Sequence, residues 1–230
     1  LNIGEYFARQ DQGTVIFFSL EMSAEAITRR RLAAESGIFL SRIRAGHLEE
    51  YQWPMLISAL NALSNRPLMV VDHPKYKIIE NLTAMAESIA MDNQVSAVFV
   101  DHIQLMRSLQ KFNTRHLEIS FISNELKAIA KNLDIPVIAL SQLNRGIELR
   151  KNQKPRLADM KESGDLEQDA DVVIGLYRET KDSELLELAG LKGRDVGIWK
   201  GCLRFDRFTQ KIFEETSDLC RAGTKLPKLG

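Results

Sequence analysis

Cysteine is scarce here: two residues in 230, Cys202 and Cys220. That is too few for a disulfide framework or, alone, for a zinc site, and it points to a reducing compartment. The four histidines, His47, His73, His102 and His116, show no metal-ligand spacing. An excess of one charge is missing as well. The 31 basic side chains are balanced by 31 acidic ones, which excludes a chain coated in nucleic-acid-binding charge but not a local basic patch. No run reaches the roughly 18–20 apolar residues of a membrane span, so no membrane partner is expected. There is no internal repeat, no low-complexity tract, no initiator Met and no charged-then-apolar leader. Helical material (Ile3, Tyr6, Phe7) begins at once, as in a piece of a longer chain. What remains is a normal globular balance. With 44% hydrophobic and 27% charged residues, wholesale disorder is excluded. A chain of this length forms one sizeable domain and buries about 70% of its unfolded surface.

Six short apolar runs stand out: 15–20, 68–72, 95–100, 135–140, 172–177 and a weaker one at 198–205. Most are continuous rather than alternating, the pattern of strands buried on both faces of a parallel sheet. Between the early runs lie helical stretches at 24–34 (capped by Ser23, with Glu25 in its first turn), 50–63, 78–92 and 115–132. In the last of these, Ile122, Leu126, Ile129 and Leu133 recur on one face. Strands alternating with helices predict an α/β fold with right-handed crossovers. After about 180, more polar strands at 197–205 and 210–214 predict an antiparallel edge. Residues 216–230 read as a flexible C-terminal tail.

In an open parallel sheet, ligands bind outside the carboxyl ends of the strands. Those ends carry Glu21, Asp101 and, in Ser141-Gln142-Leu143-Asn144-Arg145, Gln142. An apolar strand ending in Asp has the form of a Walker B element, whose carboxylate helps hold Mg²⁺ through water. It also has the form of a simple loop cap, and a Glu ahead of a helix also serves the macrodipole. The three polar strand ends together favour the chemical reading.

The ordered set of motifs is more specific than any one of them. Phe18-Ser-Leu-Glu-Met-Ser23, Asp101-His-Ile-Gln-Leu-Met106, Leu117-Glu-Ile119 leading to Leu126-Lys-Ala-Ile-Ala-Lys131, Leu140-Ser-Gln-Leu-Asn-Arg145, Glu162-Ser-Gly164 and Glu167-Gln-Asp-Ala-Asp171 resemble the C-terminal motor domain of DnaB-type replicative helicases over residues 1–215. The resemblance implies a RecA-like P-loop NTPase core, α/β, with a mostly parallel sheet flanked by helices and antiparallel strands at the C-terminal edge. It implies ATP and Mg²⁺ as cofactors, single-stranded DNA as substrate track, a homo-hexameric ring, and primase and a helicase loader as further partners, in the cytoplasm.

By position in these motifs, Glu21 resembles the catalytic glutamate that orients or deprotonates the attacking water. Asp101 resembles the Walker B aspartate, and Gln142 the sensor that couples the γ-phosphate to the DNA loops. Arg30 matches an arginine near the nucleotide; on composition alone it is equally a solvated helix face with Arg29 and Arg31. Lys192 and Arg194 resemble the Lys-x-Arg element that reaches a neighbouring subunit's site, where an arginine finger contributes about 10³–10⁵ in rate. Leu188-Ala-Gly-Leu191 before it departs from the usual β-branched run, and a basic hairpin turn is the plainer reading.

The stretch 142–161 holds six basic residues, Arg145, Arg150, Lys151, Lys154, Arg156 and Lys161, against only Glu148 and Asp159. With Asn152, Gln153 and Pro155 it reads as a mobile basic loop able to grip phosphates without sequence preference. The family's DNA-gripping loop falls at Lys161, Glu162 and Gly164; Lys161 keeps the charge of the more usual Arg but not its bidentate fork. No aromatic residues interleave, so base stacking is not indicated. Arg107, Lys111 and Arg115 are weaker candidates for a second pore loop. A Gly-x-x-x-x-Gly-Lys-Ser/Thr phosphate loop is missing. By the resemblance it lies just before residue 1, and the chain as given is expected to bind and hydrolyse nucleotide poorly. Two alternatives stay open: a non-catalytic DNA-binding or assembly module without a P-loop, and a recombinase-type RecA-like ATPase.

Overall fold

The computed structural model describes residues 1–10, 12–160 and 164–214, the side chains of Gly164 and Asp165 excepted. The elements in order are α1 (Asn2–Arg9), β1 (Thr14–Ser19), α2 (Ala24–Ser36), α3 (Leu40–Ala45), α4 (Gln52–Ser64), β2 (Leu68–Val71), α5 (Ile79–Asp92), β3 (Val95–Asp101), α6 (Arg115–Leu133), β4 (Val137–Ala139), α7 (Gly164–Asp169), β5 (Val172–Tyr177), β6 (Leu185–Gly193), β7 (Trp199–Asp206) and β8 (Lys211–Glu214). They fall into two compact units, Leu1–Ser141 with Phe208–Lys211, and Gln142–Arg207 with the residues from Ile212 on.

The first unit is built on a parallel sheet in the order β2-β1-β3-β4. Its central strands are apolar on both faces because both faces are covered: Val15, Ile16, Phe17 and Phe18 of β1 and Ala97, Val98, Phe99 and Val100 of β3 are all buried. Phe17 and Phe99 stack across the strand pair with ring centroids 5.9 Å apart, and Phe7 of α1 meets Phe99 edge-on at 6.1 Å. The helix on the following crossover, α6, buries Ile119, Ile122, Leu126 and Ile129. Thr114 caps its start, accepting from the Leu117 N–H, and Asp134 in the left-handed region ends it. The predicted strand at 135–140 shortens to three residues, since Pro136 offers no N–H to a ladder.

Two elements were not foreseen. Helix α3 is a six-residue piece bracketed by Gly37 and Gly46, both at positive φ and both closing helices by the left-handed route. Strand β6 is rich in Leu and carries Ala189 and Gly190 instead of β-branched residues; Gly190 is required there, because a Cβ would lie 2.5 Å from the Trp199 indole nitrogen.

The second unit carries the sheet β5-β6-β7-β8, in which β5, β6 and β7 pair antiparallel. The run at 172–177 therefore differs from the buried parallel strand its composition suggests: Val172, Ile174 and Leu176 are exposed on alternate positions while Gly175 is buried. Cys202 on β7 is disulfide-bonded, which runs against the reducing compartment read from the cysteine count. The tail 216–230 lies outside the described residues.

Candidate functional site

In the parallel sheet, β1 and β3 are neighbours in register, with Ser19 opposite Asp101. The Leu20 N–H donates to the Asp101 carbonyl at 2.8 Å, so the two strands end side by side. Buried Ser19 then donates its hydroxyl to the Met22 carbonyl at 2.6 Å, a local turn that projects Glu21 outward. The Ser23 cap, accepting from the Ala26 N–H at 3.2 Å, starts α2 immediately after it. Asp72, at the end of β2, adds a second cap by accepting from the Ala24 N–H at 2.6 Å. On the other side, Ile103 N–H donates to Leu140 carbonyl at 3.0 Å and Gln104 Nε2 to Ser141 Oγ at 2.8 Å, tying the end of β3 to the end of β4.

The carboxylates of Glu21 and Asp101 therefore converge, as the strand-end argument predicts. Between them lies His102, whose Nδ1 is 3.4 Å from Glu21 and 3.8 Å from Asp101. The ligating atoms of all three lie within 4.8 Å of one another. Glu21 is largely exposed, Asp101 is one-quarter exposed and His102 is buried. The Asp101–His102 peptide is cis. The sequence reading passed over His102; its only signal there is its place directly after the strand-ending Asp.

Arg30 belongs to the same region. Burial holds the Leu1 amino group below its ordinary value, with Asp101 and Glu5 opposing and Arg30 adding, so Arg30 and Asp101 both face the start of α1. The Arg30 Nε is buried without a hydrogen-bond partner. The three arginines of α2 do not form a solvated face. Arg29 pairs with Glu25 one turn back, while buried Arg31 pairs with Glu5. Glu5 also holds Arg66 at 3.0 Å, and Arg66 holds Glu35 at 2.6 Å. The Arg66 hydrogen bond is the main reason the Glu35 carboxyl lies below the usual carboxylate range.

Gln142, Lys192 and Arg194 belong to the second unit. Lys192 donates to the Glu167 and Gln168 carbonyls, capping the C-terminus of α7. Arg194 forms an exposed pair with Asp171 at 3.1 Å. The 142–160 stretch is more ordered than the mobile loop its composition suggests. Leu143 and Met160 bridge antiparallel at its base, Asn144 N–H donates to Asp159 carbonyl at 2.7 Å, and two short 3₁₀ turns fill it. Asp159 takes Arg150, and Glu187 takes Lys154. Arg145, Lys151 and Arg156 are exposed and have no acidic partner among the described residues. Lys161 and Glu162 lie outside the described residues, and Gly164 begins α7.

Of the second-loop candidates, Arg115 is spent on Glu118 and the Gln104 carbonyl. Arg107 reaches Glu118 only at 3.9 Å, and Lys111 is exposed. Ser108 anchors this loop, donating its hydroxyl to Glu80 and its N–H to Glu118. Burial raises both carboxyls, but hydrogen bonds from Ser108 and neighbouring N–H groups to Glu80, and from Arg115 and Ser108 to Glu118, outweigh it and lower them.

A parallel α/β sheet that brings two carboxylates to adjacent strand ends, one of them on a strand-then-Asp, defines a RecA-like ATPase domain. The fold agrees with solved structures of that class. A DnaB-like replicative helicase, described with its interactions with primase, superposes with a TM-score of 0.84 at 28% identity over 90% of this chain and 52% of its own. A second helicase-type neighbour, an ATPase domain, gives 0.83 at 29% identity over 90% of this chain and 76% of its own. The chain belongs to the DnaB-like helicase C-terminal domain family, whose sequence model matches residues 1–202. The replicative DNA helicase DnaC of Bacillus subtilis (strain 168) is 38% identical over 212 residues, 89% of this chain and 46% of that protein. The replicative DNA helicase DnaB of Mycobacterium intracellulare is 44% identical over 163 residues, 71% of this chain and 28% of that protein. The chain thus spans less than half the length of these relatives. No helix among the described residues is long and apolar enough to cross a membrane.

Proposed function

We propose that this chain is the motor domain, residues 1–215, of an ATP-driven replicative DNA helicase that moves along single-stranded DNA as a hexameric ring in the cytoplasm, with primase and a loader as partners. The observation that carries the reading is the convergence of Glu21 and Asp101 at neighbouring parallel strand ends in a chain of this family. Phosphoryl transfer asks a protein mainly to place the attacking water and to neutralise spreading charge. Glu21, exposed and unburdened by any arginine or lysine pair, suits the first task. Asp101 suits the second: Mg²⁺ takes oxygen ligands and retains waters, and a partly exposed carboxylate meets both demands. Arg30, with its unpartnered Nε, faces the same space and suits an anionic ligand.

The 230 residues contain no phosphate-cradling glycine loop, so the triphosphate depends on residues outside this sequence, and the isolated chain is expected to hydrolyse ATP hardly at all. Gln142 serves as sensor between nucleotide and DNA. Arg194 acts from a neighbouring subunit, its exposed pair with Asp171 costing little to release, and Lys192 orients the same element from its anchorage on α7. DNA is held by Arg145, Lys151 and Arg156, together with Lys161, Glu162 and Gly164; Arg150 and Lys154 contribute to the fold of the loop instead.

The test is Glu21→Gln in the full-length protein. ATP turnover should fall by about 10²–10⁴-fold while ATP binding persists. Turnover at the wild-type rate would remove Glu21 from the role and favour a non-catalytic DNA-binding module.

A further inference from the structure

The helicase reading uses two of the three groups at the strand ends and leaves the third, His102, without a task. Its side chain is 93% buried, being 7% exposed, and its Nδ1 points out of the core at two carboxylates, making no hydrogen bond among the described residues. A buried imidazole costs less when its polar atoms are satisfied, and here the satisfying group is not another side chain. We infer that Glu21, Asp101 and His102 form a binding site for a transition-metal dication of the zinc and cobalt type, distinct in ligand chemistry from the Mg²⁺ that accompanies ATP.

The spacing fits. Three ligands at about 2.0–2.2 Å from one ion are separated from each other by about 3–4 Å, and Nδ1 lies 3.4 Å and 3.8 Å from the two carboxylates. The donor set also selects the metal. Mg²⁺ prefers oxygen alone and near-ideal octahedral geometry, whereas an imidazole nitrogen with two carboxylates suits the borderline first-row ions. Nδ1 can offer its lone pair when the proton resides on Nε2. Exposure of Glu21 leaves the remaining positions to water. The site needs no nucleotide and does not rest on the helicase reading. If both are correct, an ion bound there ties up Glu21 and competes with its action on water.

The experiment is calorimetric titration of the protein with Zn²⁺, without nucleotide or Mg²⁺. Wild type should bind one equivalent at this site. His102→Ala and, separately, Glu21→Gln should each weaken that binding at least tenfold, since even loss of an outer-shell partner costs about 10–100-fold. His47→Ala, at an exposed histidine away from the site, should leave it unchanged. Glu21→Gln alters an exposed side chain and keeps the test sound if His102→Ala does not fold. In wild type, Co²⁺ should broaden or shift the His102 ring proton resonances ahead of those of the other histidines. Unchanged Zn²⁺ affinity in Glu21→Gln, or a His102 ring indifferent to saturating Co²⁺, would overturn the proposal. Loss of ATP turnover in Glu21→Gln with Zn²⁺ affinity intact would sink this site and leave the helicase reading standing.

Discussion

The two units handle polar chemistry in opposite ways. In the first, charged groups are placed by a sheet whose central strands are buried on both faces, and almost every one is fixed: Glu5, Arg31, Arg66 and Glu35 in a chain of pairs, Glu80 and Glu118 around Ser108. In the second, an antiparallel sheet leaves alternate apolar residues of β5 in the open and the basic stretch leaves Arg145, Lys151 and Arg156 exposed. The contrast follows from what each task needs. Placing a water beside a phosphate tolerates little displacement, so the carboxylates stand on rigid strand ends. Holding a phosphate backbone of any sequence needs cations that can adapt.

The sharpest way to break this contrast is in the two sheets themselves. Phe99→Ala, which removes the ring stacked between Phe17 and Phe7, should cost about 3–5 kcal/mol in urea-induced unfolding. Leu176→Ala, at a 55% exposed position of β5, should cost less than about 1 kcal/mol. Equal losses would mean that the two sheets are buried alike.

The same difference in burial decided what the sequence disclosed. The runs Val15–Leu20 and Val95–Val100 read as strands because two covered faces demand continuous apolar residues, and Glu21 and Asp101 were found because the strands end where the pattern breaks. Strand β6 did not announce itself, for Leu188, Ala189, Gly190 and Leu191 carry no β-branched signal and their pairing is set by Trp199 across the ladder. Helix α3 escaped notice because a single six-residue turn between two glycines has too few residues for a period. The Lys192 capping role was illegible, since its partners are backbone carbonyls about two dozen positions upstream. The Glu5 network was equally hidden: its four partners come from α1, α2 and the approach to β2.

That network supplies the next effect in size. Arg31→Met removes a guanidinium from a nearly buried pair with Glu5. Stranding a buried charge costs about 3–5 kcal/mol, and Arg66 still holds Glu5, so a loss of about 2–3 kcal/mol in chemical denaturation is expected. A neutral result would show that the pair only offsets its own desolvation.

A smaller effect is expected on acidification. Glu35 is depressed in the folded state chiefly by its hydrogen bond from Arg66. Its contribution is therefore complete above the unfolded carboxylate value of about 4.3 and is lost as pH falls through the lower folded value. Unfolding free energy measured from pH 7 down to pH 3 should drop below about pH 4.3, and Glu35→Gln should flatten that drop. An identical slope in the variant would assign the acid sensitivity elsewhere, with Glu80 and Glu118 the next carboxyls to test.

The second unit yields the smallest change in stability. Lys151→Ala and Arg156→Ala remove exposed cations that have no acidic partner among the described residues, so unfolding should shift by less than about 0.5 kcal/mol. Their effect belongs to DNA. In the full-length protein each substitution should weaken single-strand binding equally on all sequences and reduce the slope of log affinity against log salt by about 0.7. Arg150→Ala, which breaks the pair with Asp159 that helps close the loop, should instead destabilise the fold more than either. Should Arg150→Ala and Arg156→Ala behave alike in both measurements, the division of this loop into cations that build it and cations that face the backbone would fail.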